Sequence, residues 1–387
     1  MVRKVMEAAT AVAEGVKLCK PAVIPLYPIT PQTHIVERIS EFVNDGDLDC
    51  ELIHVESEHS AISAAVGSSS SGVRTYTATA SQGLALMHEI LFVASGMRLP
   101  IVMNVANRAL SAPINIWNDH SDSVAARDTG WIQLYVESAQ EAIDTTIQAF
   151  KIAEHNKVML PIMVCLDGFT LTHVYEPVDI PQQGNVNRFL QKYKPSIKLD
   201  TKKPVTMGPI GYPDSFIHFK NQQKEAMLNA LQIIKKINSE FNSKFHRKYG
   251  DGLIEMYNMK DAEYAVLCAG TICGTARVVI DNLRKTKNMK IGLIKLKSYR
   301  PFPVDSLINA CKSLKGLAVI DKSFSFGFEG AFFTDVKSTL FNEKNKPLVH
   351  SFVGGLGGKD INTKDFEEIF NKIIKTKKPI CEWLLKE

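Results

Sequence analysis

Apolar and polar positions in the first 170 residues predict a repeated succession of strand, turn and helix. Short apolar runs at 22–26, 52–55, 73–77, 100–106 and 158–166 have the length and composition of buried strands. The segments between them carry apolar residues at the helical period or are rich in small residues. Buried strands that alternate with helices are typical of a parallel, doubly wound sheet, so we predict an α/β architecture here.

The start of the helix after the first strand is predicted from two residues. Thr30 is a good N-cap residue, and Pro31 suits the first helical turn. Apolar residues from Ile35 to Val43 then recur with the helical period. We therefore expect the helix to begin at Thr30 and to bury one face.

A second α/β unit is predicted nearer the C-terminus. Periodicity is lost in 172–213, which is rich in Pro, Gly, Gln and Lys and indicates an excursion over the surface or onto a partner. A lysine-rich helix is predicted at about 221–248, followed by a turn-rich linker at 249–261. Apolar strands that end in glycine turns follow. We predict two doubly wound α/β domains, 1–248 and 262–387, joined by that linker.

Composition narrows the class of protein. Of 387 residues, 45% are hydrophobic and 22% are charged, which excludes a disordered chain. No apolar run approaches the roughly 20 residues of a membrane span, and the N-terminal segment has no signal-type core, so we expect a cytoplasmic protein. The seven cysteines are odd in number and scattered through apolar stretches, which favours buried thiols over a disulfide framework. None forms a Cys-x-x-Cys pair, which disfavours a structural zinc and an iron–sulfur cluster in this chain.

Charge is distributed unevenly along the chain. Residues 1–180 carry 11 Lys and Arg against 21 Asp and Glu, whereas residues 181–387 carry 35 against 20. A basic half can bind nucleic acid, but these lysines are spread over predicted helices and turns. We therefore expect a solvated surface and no nucleic acid, with an acidic partner protein or an anionic substrate as the alternative.

Candidate chemistry gathers at the strand ends of the first domain. Ligands of open parallel sheets bind beyond the carboxyl ends of the strands, and four such ends carry Thr30, Glu58, the turn 79–83 and Arg108. Each has an ordinary explanation, such as an N-cap, a charge at a helix N-terminus, a tight turn or a salt bridge. Small residues follow Glu58, so a flat ligand could approach and partly desolvate its carboxylate, which would suit proton transfer. The combination of these residues at four strand ends favours a ligand-binding site at this edge of the sheet.

Three other motifs are discounted. Gly250-Asp251-Gly252 starts like a motif that binds magnesium and diphosphate, but it follows no buried strand and lacks a later Asn, so a linker turn is expected. The glycine run 354–358 completes no nucleotide-binding fingerprint and is expected to be a strand–helix turn. His120 has no second His or Cys at ligand spacing. We expect its loop, 107–130, to be a structured polar loop near a subunit boundary.

Specific motifs occur in order along nearly the whole chain. The first domain contains Tyr27-Pro28-Ile29-Thr30-Pro31, Glu56-Ser57-Glu58-His59-Ser60-Ala61, Thr79-Ala80-Ser81-Gln82-Gly83-Leu84, Asn107-Arg108-Ala109-Leu110 and Arg127-Asp128-Thr129-Gly130-Trp131. The second domain adds Tyr299-Arg300-Pro301-Phe302-Pro303, Gly327-Phe328-Glu329-Gly330 and Gly355-Leu356-Gly357-Gly358-Lys359-Asp360. Together these motifs resemble the alpha subunit of pyruvate:ferredoxin oxidoreductase, in the 2-oxoacid:ferredoxin oxidoreductase family.

The resemblance implies a thiamine-diphosphate enzyme built from several chains. The first domain would be of the pyrimidine-binding type and the second similar to a transketolase C-terminal domain. A beta subunit would share the thiamine diphosphate and hold its diphosphate and magnesium, and gamma- and delta-type partners would carry iron–sulfur clusters. The implied reaction converts pyruvate and coenzyme A into acetyl-CoA and CO2 and passes electrons to ferredoxin.

The resemblance also implies roles for single residues. Glu58 matches the glutamate that hydrogen-bonds the aminopyrimidine ring of the cofactor, whereas Glu56 caps or pairs locally. Arg108 matches the arginine that holds the substrate carboxylate, a task suited to a planar bidentate donor. Thr30 matches a hydroxyl donor to the substrate. No residue of this chain is implied to bind a metal, and further cofactor contacts are implied for Pro28, Ser81, Gln82 and Gly83.

Three alternatives stay open at this point. Branched-chain 2-oxoacid and 2-oxoglutarate enzymes share much of the framework, although the run 107–113 looks most like the pyruvate type. A non-catalytic subunit could dock partners through its basic half, but chemistry-bearing residues at four strand ends count against it. A dinucleotide-dependent dehydrogenase would need a glycine fingerprint and a following acidic residue, which are missing.

Overall fold

Residues 2–385 are described by a computed structural model, so the predicted domain limits at residues 1 and 387 lie outside the described part. The elements of its first half are β1 (Val2–Glu7), α1 (Ala8–Cys19), β2 (Val23–Leu26), α2 (Thr33–Asn44), β3 (Glu51–His54), α3 (Glu58–Ser70), β4 (Tyr76–Thr79), α4 (Ser81–Leu86), α5 (His88–Gly96), β5 (Val102–Asn107), α6 (Ser121–Ala125), β6 (Ile132–Tyr135), α7 (Ala139–Ala153), β7 (Ile162–Asp167), β8 (Tyr175–Ile180), α8 (Gln183–Phe189) and α9 (Pro213–Phe245). The second half contains β9 (Ile254–Tyr257), β10 (Tyr264–Cys268), α10 (Ile272–Lys287), β11 (Ile291–Leu296), β12 (Ser298–Arg300), α11 (Val304–Cys311), β13 (Gly316–Asp321), α12 (Ala331–Leu340), β14 (Leu348–Val353), α13 (Thr363–Lys375) and β15 (Cys381–Trp383).

The first half is built on a sheet covered by helices on both faces. Its strands have the order β12-β6-β7-β5-β4 and run parallel except for β12. A bridge between Val23 and Thr75 brings the parallel pair β2-β3 alongside. Neighbouring residues of β5 point to opposite faces, so Val102 packs with α1 and α7 while Met103 packs with α3, α4 and α5. This arrangement confirms the predicted α/β class.

The second half forms a sheet of the same kind. Its order is β15-β14-β13-β10-β11-β9, parallel except for β9. Helices α10 and α13 cover one face. The other face packs with α11 and α12 in a core that also contains Leu84 and Met103 of the first half. The two halves therefore share buried apolar surface.

Buried charges and a shared strand strengthen this contact. Strand β12 leaves the second half and pairs antiparallel with β6, at Ser298 opposite Leu134. Glu141 of α7 contacts Lys295 Nζ at 2.6 Å and Lys297 Nζ at 2.7 Å, and all three side chains are buried. The second half of the chain is therefore held in a fixed position against the first sheet.

The predicted start of the second helix is wrong. Helix α2 begins at Thr33, and Gln32, not Thr30, is its N-cap residue. The backbone N–H of Gln32 donates to the Ile29 carbonyl at 2.8 Å, and the Gln32 side chain accepts the Ile29 N–H at 3.2 Å. These bonds close a separate turn that ends before the helix begins.

Two segments without clear periodicity contain regular structure. The excursion at 172–213 includes β8, which pairs with β1 at the other end of the first half, and helix α8. The linker at 249–261 includes β9, an edge strand of the second sheet, and α9 already begins at Pro213. Both strands are short and depend on partners far away in sequence. Within residues 2–385, no helix is both long and apolar enough to cross a membrane.

Candidate active site

Glu58 is the first residue of α3 and is turned into the protein. The helix is capped by Ser57, whose Oγ accepts the backbone N–H of Ser60 at 3.2 Å. Glu58 is only 7% exposed, and no donor within residues 2–385 reaches its carboxylate. Glu56 is exposed and accepts a hydrogen bond from the Ser60 hydroxyl, which lowers the pKa of Glu56. Only Glu58 is therefore buried with its acceptors free for a ligand.

Gly83 and Thr79 complete a recess around Glu58. A Cβ on Gly83 would lie 2.7 Å from Glu58 Oε1 and 2.5 Å from Thr79 Oγ1, so a side chain would displace the carboxylate. Thr79 Oγ1 is buried and has no hydrogen-bond partner in the described residues. A free carboxylate and a free hydroxyl beside a glycine suit a flat ring that carries N–H groups. Both groups could hydrogen-bond an aminopyrimidine ring, and their contact with a cofactor stays a prediction.

The turn that leads into this recess is held by protein contacts. Ser81 donates its N–H to Asp122 Oδ2 at 2.9 Å and its hydroxyl to the Ala109 carbonyl at 2.7 Å. The Gln82 amide oxygen accepts from the Ser81 hydroxyl at 2.6 Å. The Ser81 side chain is thus used within the protein, whereas the Gln82 NH2 group makes no hydrogen bond within the described residues. Direct contact of either residue with a cofactor stays a prediction.

Arg108 follows β5 and is fixed by carbonyl groups. Its Nε donates to the Asn115 carbonyl at 2.8 Å and its Nη1 to the Thr30 carbonyl at 3.0 Å. Its Nη2 makes no hydrogen bond within the described residues. Burial lowers the pKa of Arg108, and the nearby Asp122 opposes this shift. A positioned guanidinium with one free nitrogen can bind a small carboxylate.

Of Thr30 and Pro28, only Thr30 makes a described contact with a candidate site residue. The structure brings Thr30 next to Arg108, but through its carbonyl, while the residue itself is exposed. Pro28 is also exposed. A ligand held by Arg108 would therefore lie near the Thr30 backbone, and the role of its hydroxyl stays a prediction.

Asp122 is a residue that the sequence analysis missed. It is buried in α6, and its carboxylate accepts the N–H groups of both Ser81 and Arg108. Burial raises the pKa of Asp122 to about 7, although hydrogen bonds from Asn107, Arg108 and Ser81 oppose the shift. The only signal in the sequence was an acidic residue in a polar loop, which has no distinctive spacing.

The loop 107–130 packs against the second half of the same chain, and its place near a subunit boundary stays a prediction. His120 is buried, and its Nε2 contacts Asp167 Oδ1 at 2.9 Å. Lys322 of the second half contacts Asp167 Oδ2 through its Nζ at 3.1 Å. The backbone carbonyl of Lys322 also accepts the backbone N–H of His120 at 2.7 Å. Burial lowers the pKa of His120. No group of three metal-binding side chains occurs in the part of the chain described here.

The two glycine motifs are turns, as expected. Asp251 accepts the N–H groups of Leu253 and Ile254 at 2.9 Å each and closes the turn before β9. The run 354–358 connects β14 to α13, and its Gly357 carbonyl accepts from Asn115 Nδ2 at 3.0 Å. This second turn therefore supports the loop that carries the Arg108 partner Asn115.

Comparisons with known proteins found matching family models and similar chains. Residues 14–239 match the family "Pyruvate flavodoxin/ferredoxin oxidoreductase, thiamine diP-bdg", and residues 262–366 match "Pyruvate:ferredoxin oxidoreductase core domain II". The pyruvate synthase subunit PorA of Methanocaldococcus jannaschii is 51% identical over 387 residues, which cover 99% of this chain and 98% of that protein. The ketoisovalerate oxidoreductase subunit VorA of Pyrococcus abyssi is 40% identical over 381 residues, covering 97% and 95%.

A solved structure shares the fold. The 2-oxoglutarate:ferredoxin oxidoreductase from Magnetococcus marinus, with 2-oxoglutarate, coenzyme A and succinyl-CoA bound, aligns with a TM-score of 0.72 at 18% identity. The alignment covers 96% of this chain and 65% of that one. At this identity the likeness extends to the fold alone.

Proposed function

Because this chain belongs to the pyruvate:ferredoxin oxidoreductase family, we propose that it is the alpha-type subunit of a heteromeric pyruvate:ferredoxin oxidoreductase, also called pyruvate synthase. The complex oxidatively decarboxylates pyruvate with coenzyme A to acetyl-CoA and CO2, and the two electrons pass to ferredoxin. The observation that carries this proposal is the 51% identity to a pyruvate synthase subunit over nearly the full chain.

Thiamine diphosphate, when bound, supplies the nucleophilic carbon and the electron sink that decarboxylation of a 2-oxoacid needs. Glu58 would hold a proton on the aminopyrimidine ring, since it is buried and its carboxylate is free. Gly83 lets the Glu58 carboxylate lie against the turn 79–83, because a Cβ there would lie 2.7 Å from Glu58 Oε1, and the Thr79 hydroxyl would be offered to the ring. Burial of Glu58 keeps water from competing for this proton.

Arg108 and Thr30 act on the substrate. The free Nη2 of Arg108 would bind the carboxylate of pyruvate, while the Asn115 and Thr30 carbonyls keep the guanidinium in place. The Thr30 hydroxyl would donate to the 2-oxo oxygen of the substrate. Both residues orient the carbonyl carbon for attack.

The remaining parts of the enzyme would be supplied by partner subunits. We assign the diphosphate and magnesium to a beta subunit, because the Gly250-Asp251-Gly252 turn of this chain uses its carboxylate to bind Leu253 and Ile254. Iron–sulfur clusters belong to gamma- and delta-type partners, as in the family that the motifs resemble. A cytoplasmic location is supported by the seven cysteines, none of which forms a disulfide among the described residues.

The test is a substrate comparison with the complex assembled from its subunits. Pyruvate, 2-oxoisovalerate and 2-oxoglutarate are each supplied with coenzyme A and oxidised ferredoxin, and pyruvate should give the highest kcat/KM. A preference for 2-oxoisovalerate would assign the chain to the branched-chain enzymes, which the lower identity of 40% to VorA disfavours. If the partner subunits decarboxylate at the full rate without this chain, the chain is a docking subunit and not part of the enzyme's active site.

A further inference from the structure

Asp122 links the two turns that carry the proposed site. Its Oδ2 accepts the backbone N–H of Ser81 at 2.9 Å and that of Arg108 at 3.0 Å. Its Oδ1 accepts Asn107 Nδ2 and the backbone N–H of Ser123, both at 2.7 Å. The residue is 2% exposed. Both oxygens of this carboxylate are therefore taken up by donors of the described chain.

The Ser81 contact holds an unfavourable backbone conformation. Ser81 has a φ of 47°, in the left-handed region that a residue with a side chain adopts only when its surroundings hold it there. The bond to Asp122 holds its N–H, and the Ala109 carbonyl holds its hydroxyl. Gly83, which faces Glu58, follows two residues later. The distance between Gly83 and Glu58 thus depends on this turn.

The Arg108 contact fixes the base of the second functional side chain. The Arg108 N–H is bound by the same Oδ2 atom that binds Ser81, while its guanidinium is fixed to the Asn115 and Thr30 carbonyls. A displaced backbone at Arg108 would pull the guanidinium away from both carbonyls. One atom of Asp122 therefore sets the positions of two turns relative to each other.

We propose that Asp122 is a positioning residue that keeps the Glu58 recess and the Arg108 guanidinium in one fixed relation, so that cofactor activation and binding of the 2-oxoacid carboxylate depend on the same buried carboxylate. The inference rests on the proposed function of Glu58 and Arg108. Asp122 acts through Ser81 and Arg108 and transfers no proton itself.

The donors around Asp122 require its ionised form. A carboxylate offers acceptors on both oxygens, whereas an amide must turn its NH2 group towards donors on one side. In Asp122→Asn, either the Ser81 and Arg108 pair or the Asn107 and Ser123 pair would face that NH2 group. Asp122→Asn thus keeps the volume of the side chain but breaks the hydrogen bonds by which Asp122 links the two turns.

The test uses the complex assembled with its partner subunits and has two readouts. The first is the KM for the 2-oxoacid that the wild type turns over best; the second is hydrogen–deuterium exchange at the thiazolium carbon of bound cofactor. Asp122→Asn should raise the KM and slow the exchange, each by about 10- to 100-fold, since misplacement by about 1 Å has effects of that size. Asp128→Asn is the matched control, because Asp128 lies in the same loop with its side chain 76% exposed, and both readouts should stay at wild-type values.

The outcomes separate a positioning role from a structural one. A raised KM together with a slowed exchange, at a nearly unchanged unfolding temperature, supports the proposal. A change in only one readout overturns it, as does a lower unfolding temperature with both readouts unchanged. A wild-type complex that turns over no 2-oxoacid would contradict the proposed function instead, and the exchange rate together with the Kd for the 2-oxoacid would still decide the role of Asp122.

If the Asp122→Asn variant does not assemble with the partner subunits, the pH dependence of both readouts in the wild-type complex tests the proposal instead. Protonation of Asp122 must cost at least one of its hydrogen bonds, so both readouts should worsen together, by about tenfold, as the pH falls from about 8.5 to about 5.5 across its raised pKa. Arg108, Asp119, Tyr135 and Cys165 face Asp122, and Asp119→Asn controls for the second carboxyl. A KM that is constant over this range overturns the proposal.

Discussion

Glu58 and Glu56 lie two residues apart in the same turn, yet the fold gives them opposite surroundings. Glu58 is buried with a free carboxylate, while Glu56 is exposed and bound to Ser60. Glu58→Gln should lower turnover by about 10²- to 10⁴-fold, because an amide cannot hold the proton that a general acid–base group must exchange. Steady-state rates of the assembled complex measure this. Glu56→Gln should retain activity near that of the wild type, and the reverse ranking would show that Glu56 is the functional carboxylate.

Gly83 tests the shape of the recess without changing its charge. In Gly83→Ala the new Cβ would meet Glu58 at 2.7 Å and Thr79 at 2.5 Å. The carboxylate must move, and we expect turnover to fall by about 10²-fold, the usual effect of misplacing a catalytic group by about 1 Å. Gly67→Ala on the same helix as Glu58 has no atom within 4 Å of its Cβ. That control should keep full activity; equal losses in both variants would rule out a specific recess.

Arg108 separates substrate binding from cofactor activation. Loss of a charged hydrogen bond in a shielded site costs about 1.5–3 kcal/mol, so Arg108→Met should lower kcat/KM for pyruvate by roughly 10- to 150-fold. Arg108→Lys should restore only part of it, since an ammonium cannot reproduce the planar donor. Proton exchange at the thiazolium carbon should change little in either variant. Abolished exchange with an unchanged KM would place Arg108 in the cofactor site.

At the scale of elements, α7 and the strand β11 are joined by buried charges. Glu141 lies between Lys295 and Lys297, and its replacement by Gln would leave the buried Lys297 ammonium without its ion pair, while Lys295 keeps longer contacts to Glu137 at 3.4 Å and Glu255 at 3.9 Å. Glu141→Gln should therefore lower the free energy of unfolding by about 3–5 kcal/mol, measured by urea denaturation of the purified chain. Glu263→Gln is the control, because Glu263 also bridges two lysines, Lys290 and Lys315, but at the surface. Similar effects of both substitutions would contradict a role for burial.

The same contact gives the stability a pH dependence of known sign. Burial opposes ionisation of Glu141, but Lys295 and Lys297 outweigh it and hold the pKa of Glu141 below its usual range. A carboxyl whose pKa is lower in the folded state stabilises the protein above its unfolded pKa. This contribution is lost as the pH falls through the folded pKa. The decrease in unfolding free energy with acidification should accordingly be smaller in Glu141→Gln.

At the scale of the whole molecule, the chain offers only part of a cofactor site. Glu58 and Thr79 carry polar groups without a hydrogen-bond partner in the described residues, while the Gly250-Asp251-Gly252 turn uses its carboxylate to bind Leu253 and Ile254. We expect the isolated chain to bind thiamine diphosphate weakly and the complex with the beta subunit to bind it tightly. Titration calorimetry on both preparations measures the difference. Sub-micromolar affinity of the isolated chain would show that it holds the diphosphate by itself.

The sequence by itself determined the fold class, the family and most strands of both sheets. Buried strands and amphipathic helices leave a local pattern, because burial of a whole face repeats with the period of the element. The motifs around Glu58, Ser81 and Arg108 are also local, since each lies in a single strand–helix turn. The domain limits 1–248 and 262–387 stay a prediction, and they cut through the contacts that join the halves.

The tertiary structure alone decided where α2 begins, that β8 and β9 are strands, and which carboxylate links the two turns. β8 is a strand because β1, at the other end of the first half, supplies its hydrogen bonds. Asp122 and Ser81 are 41 residues apart along the chain, and nothing in either stretch indicates their contact. His120 likewise lies in a polar loop but is buried by the approach of Lys322. Hydrogen-bond partners and desolvation depend on segments distant in sequence, so a local pattern cannot contain them.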